Sequence, residues 1–147
     1  MKYLDSPALT HKLGKISALT EPWRGRELDA HYLGFFDCFN RQLYFEAHEV
    51  LEVLWLKRRA EAEGAFYKAL IQLAGAFVHL QKHRPGPAGR LLDLAEANLR
   101  SYPDLYEHLD VSAVRKLIQS WRRRIESDGA ELAKKILESG PNLNLKA

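Results

Sequence analysis

The chain is poor in the residues that build covalent or soft-metal frameworks, with one Cys and one Met in 147 residues. Cys38 has no second Cys to pair with, and zinc or iron–sulfur sites built on several thiolates are excluded. No apolar run approaches the roughly 18 residues of a membrane helix, and the N-terminus lacks a signal-peptide pattern. These absences predict a cytoplasmic protein with no membrane partner. Excess charge is missing too: 22 Lys+Arg against 19 Asp+Glu leave +3, too little to call for a nucleic-acid partner. The sequence also lacks a glycine-rich phosphate loop, a serine nucleophile elbow and a dinucleotide fingerprint.

What remains is ordinary globular material, 46% apolar and 28% charged. A chain of this length buries roughly 68–70% of its unfolded surface, so a core forms without disulfide or metal. One domain over 1–147 is expected, with an irregular arm at 1–25, a helical core at 26–139 and a frayed polar tail at 140–147. Pro7, Gly14, Pro22 and Gly25 punctuate the arm and leave room for a short helical turn around Ala8–Ile16.

Beyond Glu27 the apolar spacing is helical almost throughout. Helices are expected at about Asp29–Asn40, Tyr44–Arg59, Ala62–Lys82, Ala88–Ser101, Asp110–Ser127 and Ala130–Glu138. Arg84-Pro85-Gly86-Pro87 is expected to end the third, Tyr102-Pro103 the fourth, and Asp110 to cap the fifth. Short links imply antiparallel neighbours, hence an all-α compact bundle of about six helices built from helical hairpins.

The most unusual stretch is Tyr44-Phe-Glu-Ala-His48-Glu49-Val-Leu-Glu52-Val-Leu-Trp55. At about 100° per residue, His48, Glu52 and Trp55 share a stripe with Tyr44, Phe45 and Leu51, while Ala47, Val50 and Leu54 lie opposite. Apolar side chains nearly all round predict a buried helix, so its ionisable groups must be paired or hydrogen-bonded. Glu46 and Glu49 are expected further round, reaching solvent. On the next helix Lys68, Gln72, Ala76, His79 and His83 lie within about 40° of one line, with Gly75 beside them. This stripe is expected to face His48 and Glu52, making a partly buried His/Glu/Gln/His cluster.

Two imidazoles and a carboxylate suit a divalent metal, with His48, Glu52 and His79 as ligands. The same groups suit a small polar ligand bound by His48, Glu49, Glu52, Gln72 and His79 against Trp55 as an apolar wall. A hydrolase-like enzyme with Glu49 or Glu52 as general base is a third reading. A helical interaction module that offers an apolar groove to a partner or a second copy of the chain is a fourth. Against them stands a purely structural hydrogen-bond network that fixes helix register. His48-Glu49-Val-Leu-Glu52 lacks the second His of the zinc-protease helix, and the Glu-x-x-His pairs of di-iron bundles are absent.

Phe39-Asn40, the His48-Glu49-x-Leu-Glu52-x-x-Trp55 core, Leu70-Ile71-Gln72-Leu73-Ala74 and His79 together resemble the small helical domain-of-unknown-function family 309. The resemblance covers about Phe35–Leu99. It implies an all-helical fold and points to His48, Glu49, Glu52, Trp55, Gln72 and His79, without supplying a reaction. The chain departs from the pattern at Ala69, where a Gly is expected, and at the Arg84–Pro87 turn, where Gly-Asn is expected.

Late in the chain, Arg115, Lys116 and Arg122-Arg123-Arg124 lie beside Trp121. One reading is a phosphate-contacting basic face with Trp121 for stacking. A solvated face with Trp121 turned into the core is expected instead, because Glu126, Asp128 and Glu131 dilute the field. Cys38, among Phe35, Phe36 and Phe39, reads as a small buried hydrophobe.

Overall fold

The computed structural model describes residues 7–128 and 131–146, and over these it is an all-α bundle. Seven helices occur among the described residues: α1 Pro7–Thr20, α2 Ala30–Asn40, α3 Tyr44–Arg58, α4 Gly64–Gln81, α5 Pro85–Leu99, α6 Val111–Asp128 and α7 Leu132–Ser139. The expected start of the last helix at Ala130 and the first six residues of the arm lie outside the described residues. Asp29 caps α2, accepting the His31 N–H at 2.7 Å, and Asp110 caps α6, accepting the Ala113 N–H at 2.9 Å.

Consecutive helices α2, α3, α4 and α5 pack against one another in turn, the α4–α5 hairpin most extensively. Their shared core is aromatic. Phe39, Tyr44 and Phe77 meet with ring centroids 5.1–5.8 Å apart, and Trp121 closes edge-on over Phe77 at 5.0 Å. Trp121 is therefore turned inward, and Arg124 lies over its outer face at 4.5 Å. A second aromatic group, Tyr32, Phe36, Phe66, Tyr67, Tyr102 and Tyr106, fills the other end. Tyr102 ties that end together: its hydroxyl donates to the Ala62 carbonyl at 2.6 Å and accepts the Phe66 N–H at 3.0 Å. This supplies the start of α4 with a partner that its own sequence lacks. Cys38 is fully buried, and burial pushes its thiol up to about 11.

Four expectations need correction. The arm is not irregular: α1 is a 14-residue helix followed by a short 3-10 turn at Glu21–Trp23. Pro7 stands at a helix start, where its missing N–H costs nothing, and Gly14 lies on the open side, with nothing within 4 Å of where a Cβ would stand. Ile16 and Thr20 are the buried anchors, and Thr20 satisfies its hydroxyl on the Ile16 carbonyl at 3.1 Å. Second, α4 ends at Gln81, and beyond it His83 takes a left-handed φ of 58° while the Arg84 N–H returns to the His79 carbonyl at 2.9 Å. Pro85 then opens α5 instead of breaking α4.

Third, a small antiparallel hairpin pairs Leu105–Tyr106 (β1) with Leu109–Asp110 (β2). Its turn residues Glu107 and His108 both have positive φ, 49° and 61°, without the Gly or Asn that announces such turns. Fourth, the tail is docked. Asn40 brackets Leu143 through two hydrogen bonds, donating to its carbonyl at 2.8 Å and accepting its N–H at 2.7 Å. Leu145 bridges Leu109, so the apolar residues of the tail, not its polar ones, decide its path.

Candidate functional site

Helix α3 turns Tyr44, Ala47, Val50, Leu51 and Leu54 into the core, leaving a polar arc from Glu46 through Glu49 and Glu52 to His48 whose two ends meet different neighbours. One end lies under α1. There Lys12 Nζ stands 3.6 Å from Glu49 Oε2 and 3.7 Å from Glu52 Oε1, and Lys15 Nζ stands 3.2 Å from Glu46 Oε1. Glu49 is only 9% exposed, contrary to the expectation that it reaches solvent. The cause is α1: a helix read as a loose arm delivers the lysine that makes the burial tolerable.

The other end opens into a groove of about 340 Å³ between α3, α4 and α5. Of the six candidate residues, His48, Gln72 and His79 line it, and Glu49, Glu52 and Trp55 do not. Lys68 from the same α4 stripe joins them, with Ile71, Val78, Leu91 and Phe45 as apolar wall and Gly75 at the floor. Gly75 has a local reason: a side chain there would press to 3.2 Å on Leu91, narrowing the groove. Ala76 is instead fully buried, and His83 lines a separate depression with Leu137.

The side chains outside the groove hold those within it. Glu52 lies one turn below His48, with Oε2 3.4 Å from Nε2. Trp55 acts as a platform and not as a wall, since Lys68 Nζ rests 4.3 Å from its ring centre. Among the described residues no carboxylate pairs with Lys68. Gln72 accepts from Asn98 Nδ2 at 2.8 Å, which leaves its own amide nitrogen without a described partner. Asn98 and Leu91 were invisible to the α3–α4 motif. The signal for them is the repeat Leu91, Ala95, Asn98 on α5, which marks the face turned to α4.

Burial lowers the pKa of His48, with Lys12 and Lys68 acting in the same direction and Glu52 and Glu49 opposing. Burial also lowers that of His79, helped by Arg84, Lys82 and Arg90. Both shifts favour the neutral ring. In each, Nδ1 is buried with no hydrogen-bond partner, an unusual condition for a polar atom in a folded protein. Among the described residues no group of three or more His, Cys, Asp or Glu side chains is arranged to hold a metal ion. His48 and Glu52 are a pair, and His79 is not gathered with them into a ligand set.

Residues 32–91, from Tyr32 in α2 to Leu91 in α5, match the family described as Domain of unknown function (DUF309). The matched segment contains every candidate residue of the groove and of the α1-covered face of α3, but not α1 itself. No curated protein and no solved structure matches the chain significantly.

Proposed function

We propose that the protein binds a small amphipathic organic anion in the groove between α3, α4 and α5. One observation carries the reading: a single groove joins an apolar wall to Lys68, which no carboxylate among the described residues pairs, and to the unpartnered amide nitrogen of Gln72. The apolar body of such a ligand would lie on Ile71, Val78 and Leu91. Its anionic end would meet Lys68 and the Gln72 amide, with no nearby carboxylate to neutralise the lysine first. His48 and His79 line the groove with their rings, and Glu52 and Trp55 orient His48 and Lys68 from behind.

Calorimetric titration with hexanoate tests this. Hexanoate should bind and hexylamine should not, and Lys68→Ala should weaken hexanoate by about tenfold or more, the worth of a charge-assisted hydrogen bond. Equal binding of the amine, or an unaffected Lys68→Ala, contradicts the reading.

A second reading, hydrolase-like proton transfer, is favoured by the His48–Glu52 pair. A neutral imidazole backed by a carboxylate is the form in which His serves as a general base. It assigns the base to His48, whereas Glu49, held under α1, supports structure.

A further inference from the structure

A cavity of about 470 Å³ lies where the 25–30 segment, the end of α3, the start of α4 and the β1–β2 turn meet. Its chemistry is opposite to that of the groove. Glu27, Asp29, Glu63 and Glu107 line it against Arg26 and Arg58. Neither guanidinium is well placed to neutralise these acids: Arg26 lies over the Trp23 ring at 5.1 Å, and Arg58 reaches Glu63 only at 4.0 Å.

Two tyrosines complete the lining and differ in one respect. Tyr32 spends its hydroxyl on the Glu107 carbonyl at 2.8 Å, which also secures the left-handed turn. Tyr67 is only 6% exposed, yet its hydroxyl hydrogen-bonds to no described residue and faces the cavity. The rest of the side chain is packed while the hydroxyl opens onto the cavity, so its hydrogen-bonding capacity is offered there. Burial and the fields of Glu107, Glu63 and Asp29 raise its pKa, so the phenol stays protonated and offers both a donor and a lone pair.

We propose that this cavity binds an aliphatic amine, a diamine in the best case. The carboxylates stand round the cavity but are not gathered as a metal site, since no such group exists among the described residues. Separated carboxylates around a space of this size fit a cation with an organic body. An ammonium would meet Glu63 and Glu107 and donate to the Tyr67 oxygen, while its methylene chain lies against Leu28 and Leu54.

The test is calorimetric titration of the full chain with 1,4-diaminobutane, with succinate as the matched anion. Diaminobutane should bind and succinate should not. Tyr67→Phe, which keeps the ring packing, and Glu107→Gln should each weaken binding by about tenfold, the loss of one charge-assisted hydrogen bond. Glu138→Gln, on the exposed side of α7, should leave it unchanged. Absence of diaminobutane binding at millimolar concentration, equal binding of succinate, or equal weakening by Glu138→Gln overturns the proposal. So does unaltered binding in both cavity variants once their thermal melts show folded protein.

Discussion

Helix α3 carries polar groups on two faces that differ in how they are satisfied. Under α1, Glu46 and Glu49 meet Lys15 and Lys12 directly, so the charges are spent on holding one helix against another. Toward the groove, His48 has one nitrogen beside Glu52, whose other oxygen reaches Lys12, and the second nitrogen buried without a partner, while Lys68 has only an aromatic platform. A fully paired face is what a structural network looks like. An incompletely paired one beside an apolar groove leaves hydrogen-bonding capacity for something that the chain does not supply. The shared motif His48-Glu49-x-Leu-Glu52 thus divides between two tasks, with Glu49 assigned to stability and His48 to binding.

The contrast is sharpened most by removing one member of each face. Glu49→Ala should lower folding stability in urea by about 1–2 kcal/mol, because it breaks a nearly buried pair and loosens α1, and should leave hexanoate binding unaltered. Next, His48→Phe should change stability by less than about 0.5 kcal/mol, since it removes an unpartnered buried nitrogen along with the contact to Glu52. Its effect should fall on binding instead. If Glu49→Ala abolished binding while His48→Phe only unfolded the protein, the division of α3 would be reversed.

The smallest effect concerns pH. The folded pKa of His48 lies below the usual 6.5, so the unfolded chain takes up this proton first as the solution is acidified. The ring's contribution is fully present above about pH 6.5 and is lost as pH falls toward the folded value. His79 acts in the same sense. Urea melts at pH 7.5 and 5.5 should show lower stability at the acid end, with a shallower decline in His48→Phe. Stability that rises on acidification contradicts the assignment of neutral rings.

The bundle was legible where apolar spacing decides structure. Asp29, Asp110 and the periodic faces of α2 to α6 place those helices to within a few residues. The errors share a cause, which is that tertiary contacts overrode local signals. Pro7 and Gly14 resemble breakers, yet Ile16 and two lysines find partners on the neighbouring helices and make α1 a helix. Glu107 and His108 would not be chosen for a left-handed turn, but Tyr32 and the docked tail hold them there. The groove was half visible, since His48, Gln72 and His79 recur at helical spacing on two adjacent helices. Trp55 was misread because its stripe passes the groove's edge, where Lys68 covers it. The tyrosine cavity left no periodic signal at all: its lining comes from four segments between Gly25 and Glu107.

The most direct measurement of the central claim is a nitrogen-15 imidazole spectrum recorded during titration with hexanoate. His48 and His79 should show neutral rings at pH 7 and shift progressively on titration, with the backbone amides of Lys12 and Lys15 on α1 unmoved. Unshifted imidazoles at saturating hexanoate, or shifts confined to α1, would contradict the claim.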